Sequence, residues 1–172
     1  MPRTYAEERT KITVLTEAPA NVLKPTVAEL EAGVDIECRI HRAESRLSAT
    51  DSDTFSEPLY CEGGNPTDFG ASNFEGRLTI FWWLDESGKS EPLDDVVMVM
   101  FNEKGTEVWI YLRIGPRHDA PWVAGDTPEY YHAKSDNPQA PSDPNTGYIK
   151  KVVPLGIQGD SKVSGVEVVA GP

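Results

Sequence analysis

The stretch "TEVWIYLRIG", residues 106–115, decides the fold class of this 172-residue chain. Alternate positions are apolar and share one face of the segment: Val108, Ile110, Leu112 and Ile114. The intervening positions combine charged and large aromatic side chains: Glu107, Trp109, Tyr111 and Arg113. Because successive side chains of a β-strand point to opposite faces, this alternation predicts a half-buried strand.

Further strands are predicted by β-branched or alternating apolar residues in five segments: 11–18, 34–43, 74–85, 147–159 and 162–171. In the second of these segments Ile36, Cys38 and Ile40 share one side, so we expect Cys38 to be a small core residue. Pro154 has no amide hydrogen and therefore predicts either an edge strand or a bulge in segment 147–159.

A short helix is predicted in "PTVAELEAG", residues 25–33. Thr26 with Glu29 three residues later forms the capping-box pattern, in which each side chain accepts a hydrogen bond from the other residue's backbone amide. Gly33 suits the left-handed backbone conformation that frequently ends a helix. We therefore expect the helix to end at this glycine.

The segment "PLDDVVMVMFNEKG", residues 92–105, carries conflicting signals. Its β-branched residues favour a strand, whereas Pro92 and two acids at its start, and a lysine and a glycine at its end, favour a helix. We predict a helix with Asp94 as the N-cap and Lys104 near the negative end of the helix dipole. A buried strand is the alternative.

Two long polar segments, 44–73 and 119–148, are rich in proline, glycine and short polar residues. Loops beyond about 12–15 residues are uncommon in compact domains and are usually functional or disordered. Strand segments outnumber helical ones without βαβ alternation, so we predict a mainly β fold, a β-sandwich or barrel with one or two flanking helices. We assign one domain to residues 1–172, with an N-terminal arm and strand at 1–18 and a C-terminal strand and tail at 160–172.

The composition is acidic, with 28 Asp and Glu against 16 Lys and Arg and a formal net charge of -12. Such a chain repels nucleic acid from most of its surface rather than binding phosphates. No apolar run approaches the roughly 20 residues of a membrane span, and the charged N-terminus shows no secretory signal, so we expect no membrane partner. The two cysteines, Cys38 and Cys61, are too few for a disulfide framework.

Catalytic and metal-binding patterns are weak in this sequence. The three histidines, His41, His118 and His132, do not pair at metal-ligand spacing. Asp51 and Asp53 form a D-x-D pattern that lacks the glycine and distal glutamate of a calcium loop. Nucleophile-elbow and glycine-rich nucleotide motifs do not occur. We therefore expect no enzyme activity, no cofactor and no bound metal.

Large aromatic residues provide the strongest functional signal. Trp82 and Trp83 are adjacent in a predicted strand, so one of them must leave the core unless something covers it. Trp109 and Tyr111 lie on the polar side of their strand. Several large aromatics on outward faces indicate an interaction surface. Stacking on sugars in a carbohydrate-binding module and contact with a neighbouring subunit in an assembly are both consistent with this pattern.

A family resemblance favours assembly, and it rests on "DFGASNFEGRLTIFWWLDESG", "DDVVMVMFNEKGTEVWIYLRIGP" and "APWVAGD…SDNPQAPSDPNTGYIKKVVPLGIQG", which span roughly residues 67–159. These segments resemble the major tail (tail tube) proteins of long-tailed bacteriophages, particularly those that infect actinobacteria. The resemblance implies a virion protein assembled in the host cytoplasm. Its β-sandwiches would close head-to-tail into hexameric rings and stack into a hollow tube through which genomic DNA passes without specific binding.

The resemblance also implies partners and contact residues. The partners are further copies of the chain, a tape measure protein, and tail terminator and baseplate proteins. The long segments 44–73 and 119–148 and both termini become arms that reach neighbouring subunits. Inter-subunit contacts are expected from the aromatics Trp83, Trp109, Tyr111, Trp122, Tyr130, Tyr131 and Tyr148.

A tube that carries DNA needs a lining without fixed cation sites. Acidic candidates for lumen-facing positions are Asp35, Glu37, Glu75 and Glu107. Arg39, Arg77 and Arg113 lie on the same predicted strand faces, and we expect them to pair with those acids across strands or subunits. Two alternatives stay open: a carbohydrate or cell-surface binding module, and another virion protein of the same fold, such as a tail terminator or baseplate hub.

Overall fold

The computed structural model describes residues 5–91 and 94–171. Residues 1–4 of the predicted N-terminal arm, Pro92 of the predicted helix start and the last residue of the predicted tail lie outside the described residues. The helices and strands, in chain order, are β1 Thr10–Leu15, α1 Val27–Glu31, β2 Val34–Asp35, β3 Arg46–Thr50, β4 Thr54–Phe55, β5 Asp68–Phe69, β6 Asn73–Phe81, α2 Val96–Met100, β7 Glu107–Ile114, β8 Glu129–Ser135 and β9 Lys150–Ile157. The fold is mainly β, as the sequence predicts.

Seven strands form one antiparallel sheet in the order β2-β1-β7-β8-β9-β6-β3, and β4 pairs separately with β5. Residues 34–41 connect the two sides of this sheet. The Ile36 amide donates to the Ile12 carbonyl of β1 at 2.9 Å. Five residues later the His41 amide donates to the Thr79 carbonyl of β6 at 2.7 Å. Because one short segment bonds to strands at opposite sides, the sheet must curl.

The main core lies inside the curled sheet. It receives apolar side chains from β1, β6, β7, β8 and β9, together with Ile36 from the connecting segment. Helix α2 adds Val97, Met98 and Phe101 to the same core. The apolar face predicted for β7 is confirmed at Val108, Ile110 and Leu112, whereas Ile114 is exposed.

A second, smaller core covers the opposite face of the sheet at the β1–β7–β8 side. It contains Leu15, Leu30 of α1, Tyr111, Trp122, Tyr130, Val166 and Val168. The α1 helix and the C-terminal segment therefore act as the second layer of a sandwich. This layer explains how β7 can carry aromatic residues on its supposedly polar face, because part of that face is also buried.

The capping box of α1 is confirmed. Thr26 Oγ1 accepts a hydrogen bond from the Glu29 amide at 3.2 Å, and the Glu29 carboxylate accepts one from the Thr26 amide at 2.8 Å. The Glu29 carboxylate also accepts from the Ala20 amide at 2.8 Å. These bonds, the one from Ala20 first, lower the pKa of Glu29 below its ordinary value because they stabilise its charged form.

The role expected of Gly33 is wrong, since its φ does not fall in the left-handed region. The residue instead permits a close approach to β1. A Cβ at this position would lie 2.6 Å from Leu15 Cδ2 and 2.7 Å from Thr13 Cγ2. A Cβ here would have to displace these two side chains, so glycine serves the close approach rather than a special backbone conformation.

Helix α2 confirms that its segment is a helix and not a strand. Its N-cap is Asp95 rather than the predicted Asp94. The Asp95 side chain makes no capping hydrogen bond. It accepts a hydrogen bond from Ser90 Oγ at 2.5 Å instead. Lys104 does not lie in the last turn of the helix, and its ammonium group contacts Asp136 at 3.3 Å.

Three predictions about which segments form β-strands are wrong. Segment 34–43 is a strand only at Val34–Asp35, because it must then turn to reach β6, and this turn leaves Cys38 exposed. Segment 162–171 forms single bridges rather than a strand, although Val166 and Val168 are buried. Segment 119–148 contains the central strand β8, whose pattern was hidden by the surrounding prolines and glycines.

Pro154 lies on β9, which is an interior strand and not an edge. Its carbonyl accepts from the Asp136 amide at 2.9 Å, so its nitrogen also faces β8. The β8–β9 ladder ends at the Ser135–Leu155 pair and resumes only at the bridge between Gln139 and Val152. The missing amide hydrogen of proline therefore falls where the ladder is interrupted.

Substitution of Gly76 by alanine should destabilise the protein. A Cβ on Gly76 would lie 2.9 Å from Leu155 Cβ and 2.6 Å from Ile157 Cδ1 across the β6–β9 pair. We expect Gly76→Ala to lower the free energy of unfolding by about 1–3 kcal/mol, measured by urea denaturation. The matched control is Gly63→Ala, which has open space around it and should change stability by no more than about 0.5 kcal/mol. Equal effects at the two positions would contradict the packing argument.

Candidate assembly surface

Strands β3 to β6 form one long protruding hairpin. The β3–β6 ladder ends at the Thr50–Asn73 pair, and the Asp53 amide continues it by donating to the Ala71 carbonyl at 3.0 Å. The β4–β5 pair then extends the same hairpin outward. Every residue from 53 to 73 is exposed, so this part of the chain adds nothing to either core.

The hairpin carries large apolar side chains on this exposed surface. Phe55, Leu59, Tyr60 and Phe69 are each more than half exposed. A monomeric soluble protein rarely exposes a set of large apolar groups on one projecting element. Within the predicted long segment 44–73, residues 53–73 form an exposed extension, and contact with another surface would remove its apolar side chains from water.

A second exposed patch brings two of the predicted contact residues together. Phe81, at the end of β6, makes edge contacts with Trp83 and Tyr148, with ring centroids 6.1 Å apart in both pairs. Arg39 lies 6.0 Å from the Trp83 ring centroid. Tyr148 is 82% exposed, and the adjacent Ile149 is also exposed. This group, which we call the Phe81 patch, lies near the start of β9.

Trp82 does not offer a free ring for sugar stacking. Its ring packs partly against the main core, and its indole nitrogen donates to Ser90 Oγ at 3.0 Å. The Lys151 ammonium lies 5.7 Å from its centroid. The paired tryptophans are therefore both half-buried within the chain, which weakens the carbohydrate-binding alternative.

Trp109 belongs to a charged cluster on the face opposite the main core. Its ring stacks on His132, with centroids 5.3 Å apart and an interplanar angle of 11°. His132 Nε2 lies 2.7 Å from Glu107 and Nδ1 lies 2.8 Å from Asp160. The hydrogen bond with His132 is the largest cause of the lowered pKa of Glu107, and Lys134 contributes further.

Four of the seven predicted contact aromatics are core residues of the chain. Tyr111, Trp122, Tyr130 and Tyr131 are buried, at 2% exposure or less. Their polar ends are also satisfied internally: the Tyr111 hydroxyl donates to the Val22 carbonyl at 2.9 Å, for example. Burial raises the pKa of Tyr111 far above its ordinary value. The alternation of β7 correctly predicted which side chains point away from the main core. It could not reveal the second layer that covers them.

Trp122 and Asp126 anchor the loop between β7 and β8. The Trp122 indole donates to Thr13 Oγ1 at 3.0 Å, and Arg113 lies 4.9 Å from its ring centroid. The Arg113 guanidinium contacts the Asp126 carboxylate at 2.8 Å and also donates to the Pro121 and Ala120 carbonyls. The "WVAGD" stretch that helped to suggest the family is therefore a structural anchor.

The four acids proposed for a lumen each have a basic neighbour in the same chain. Asp35 pairs with Lys11 at 2.7 Å, and Glu37 lies 3.6 Å from His118. Glu75 pairs with Arg46, and Glu107 contacts both His132 and Lys134.

Among the described residues, the three arginines contact groups other than the four acids. The Arg39 and Arg77 guanidinium groups donate to the backbone carbonyls of Asp94 and Glu44. Arg113 pairs with Asp126. Strand alternation gives the face of a side chain but not its neighbour along the sheet, and pairing of these arginines across subunits stays a prediction.

The spacing of residues along the sequence did not predict one group of side chains that could bind a metal. Glu37, Cys38 and His118 bring their ligand atoms within 4.8 Å of one another, although His118 is 80 residues from Cys38 in sequence. Only the curl of the sheet makes them neighbours.

The two helices of the described residues span five residues each, so neither could cross a bilayer.

A curled antiparallel sheet whose hairpin extension, residues 53–73, carries exposed large apolar side chains defines a mainly β domain. The sequence matches the family model described as "Phage tail tube protein" over residues 1–171. The chain therefore belongs to the phage tail tube protein family, which indicates a structural component of a phage tail.

A solved structure supports the same fold. One chain of the "Cryo-EM structure of the anti-feeding prophage (AFP) baseplate, 6-fold symmetrised" aligns with a TM-score of 0.53 over 100% of both chains, at 16% sequence identity. At that identity the likeness shows the fold alone. Comparison with curated protein sequences finds no match.

Removal of the Arg113 side chain should release the β7–β8 loop. Both members of the pair are shielded, with side-chain exposures of 3% for Arg113 and 12% for Asp126. Loss of one partner from such a buried pair costs about 3–5 kcal/mol, so Arg113→Ala should lower the free energy of unfolding by that amount.

Urea denaturation followed by tryptophan fluorescence would measure this loss. The control is Arg117→Ala, whose exposed ion pairs should contribute at most about 1 kcal/mol. If both variants unfold at the same urea concentration, the Arg113–Asp126 pair does not anchor the β7–β8 loop.

Proposed function

We propose that this protein is the repeating subunit of a long-tailed phage tail tube, forming hexameric rings that stack into a hollow cylinder for genome passage. The observation that carries the proposal is the hairpin at residues 53–73, which is exposed throughout and rich in large apolar side chains. Membership of the tail tube family supports the same conclusion.

The hairpin and the sheet edge suggest how subunits join. Strand β3 pairs with β6 and has no second neighbour in the sheet order of the described residues. Such an edge offers free backbone donors and acceptors to another strand. The hairpin that begins with β3 projects from the same place, so one subunit would insert it against a different surface of the next. A contact between two different surfaces is heterologous and closes into a ring when the rotation allows.

The Phe81 patch is our candidate for the surface that receives a neighbour. Trp83 and Tyr148 remain contact candidates in this patch. Trp109 remains one on the sheet face opposite the main core. Six subunits in a ring are supported by the sixfold symmetry printed for the baseplate structure that shares the fold. Assembly in the host cytoplasm and contacts with tape measure, terminator and baseplate proteins belong to the same proposal.

The net charge of -12 suits a tube that conducts DNA. Glu75 and Glu107 lie on the sheet face opposite the main core, and the part of this face that the second core leaves uncovered is our candidate for the lumen. Their basic neighbours reduce local repulsion, so the excess of acids over bases in the whole subunit matters more. With a Debye length near 8 Å, such repulsion keeps phosphates away from the wall without binding them.

A second candidate is a baseplate hub or tail terminator of the same fold. The likeness to a baseplate chain fits this alternative only loosely, because at 16% identity it supports the shared fold and no particular role. The two functions predict different assemblies, because a tube subunit stacks without limit whereas a hub or terminator makes a single closed ring.

Assembly should depend on the hairpin while folding should not. We expect purified wild-type protein to form tubes above a critical concentration, seen by negative-stain microscopy and sedimentation. We expect these residues to be hot spots of the interface, whose truncation costs over about 1 kcal/mol each, so the double variant Leu59→Ser with Tyr60→Ser should raise that concentration by about tenfold or more. The thermal midpoint of its monomer should stay unchanged, because both residues are exposed.

The control is Val99→Ser, which removes an equally exposed apolar side chain from α2. A wild-type protein that stays monomeric at all concentrations contradicts the proposal, as does normal assembly of the double variant. Rings that never stack favour the hub or terminator function.

A further inference from the structure

The geometry points to a binding site for a thiophilic divalent cation, Zn²⁺ in the first instance, formed by Glu37, Cys38 and His118. Their ligand atoms are the carboxylate Oε1, the thiol Sγ and the imidazole Nδ1. The inference does not depend on the function proposed above, because it rests on the ligand atoms of a single chain.

The distances between the ligand atoms match a tetrahedral metal. Cys38 Sγ lies 3.7 Å from His118 Nδ1, and the same nitrogen lies 3.6 Å from Glu37 Oε1. Zinc bonds of about 2.3 Å to sulfur and about 2.0–2.1 Å to nitrogen and oxygen give edges of about 3.6 Å and about 3.4 Å. These two separations therefore lie within a few tenths of an ångström of the zinc values, and the Cys38 sulfur and the Glu37 carboxylate lie within 4.8 Å of each other.

Hydrogen bonding accounts for only one of these contacts, since Cys38 Sγ lies within the longer hydrogen-bond distance of sulfur from His118 Nδ1. The separation of 3.6 Å between the carboxylate and the imidazole is too long for a hydrogen bond. The other carboxylate oxygen of Glu37 is held by the Ile12 amide at 3.2 Å, and the His118 amide donates to the Glu8 carbonyl at 2.8 Å. The ligands are thus oriented by neighbours from β1 and from the segment that precedes it, as supporting groups orient a metal ligand.

The chemistry of the donors selects the cation. A thiolate and an imidazole favour zinc-like ions over Mg²⁺ or Ca²⁺, which prefer oxygen ligands. Thiolate and carboxylate together balance a charge of +2. Three protein ligands leave a fourth position for water, and the exposed Cys38 side gives the ion access from solvent.

The position of the site gives the cation a structural consequence. Glu37 and Cys38 lie in the segment 34–41 that connects β1 to β6, and His118 lies in the loop after β7. Glu37 and His118 line an open cavity of about 760 Å³, together with Ile12 and Leu78. A bound ion would tie the connecting segment to the β7–β8 loop and hold the curl of the sheet closed.

Metal titration of the reduced full chain tests the inference. After chelator treatment, we expect one Zn²⁺ per chain by calorimetry and a rise in Tm of about 5 °C at a hundredfold excess over Kd. Mg²⁺ should leave Tm unchanged. Co²⁺ should give the near-ultraviolet charge-transfer absorption that reports a cobalt–thiolate bond.

Three variants separate this site from adventitious binding. Cys38→Ser should abolish the cobalt–thiolate absorption, and both Cys38→Ser and His118→Ala should weaken Zn²⁺ binding at least about tenfold, since loss of a ligand costs no less than loss of its supporting group. Cys61→Ser is the matched control, because this other exposed cysteine lies on the hairpin, and it should bind like wild type.

The Tm of each variant without metal shows whether the fold is intact, and all proteins are compared in the same state of assembly. The inference is overturned if wild type binds no Zn²⁺, if Cys38→Ser keeps the cobalt–thiolate absorption, or if Cys61→Ser loses it.

Discussion

The bonding of residues 34–41 to both β1 and β6 is the constraint on which the rest of the structure depends. A flat antiparallel sheet with this many strands would present one face to solvent. Residues 34–41 instead draw the two sides of the sheet together. The curl encloses Ile36 with the side chains of the main core, and it leaves the outer face of β7 for a second layer. Folding and the arrangement of the candidate sites therefore follow from the same few backbone hydrogen bonds.

Local patterns predicted those parts of the fold that local chemistry determines. The alternation of β7, the capping box of α1 and the helix α2 were found because each depends on residues close in sequence. The turn after Asp35 was missed, because it is imposed by two strands distant in sequence. Strand β8 was missed because its turn-rich neighbours dominated the composition, while its pairing with β7 and β9 decides its structure.

The candidate site was predicted in outline rather than in detail. Segment 44–73 was identified as an excursion from its length and polarity, and Trp83 and Tyr148 do lie together on the surface. Tyr111 and Tyr130 were misassigned, since an aromatic on the outward face of a strand can be covered by a second layer that only the whole chain reveals. The same limit applies to His118, whose neighbours depend on the curl of the sheet.

The hairpin at residues 53–73 has a further consequence for how this protein can change over time. Because no side chain in it is packed into the body of its own subunit, substitutions there have little effect on whether a newly made chain folds. Under the proposed function, selection on that part of the gene then comes almost wholly from the subunit surface that the hairpin contacts. Its length and sequence can diverge quickly among related phages, in step with the opposing surface, while the two cores stay alike.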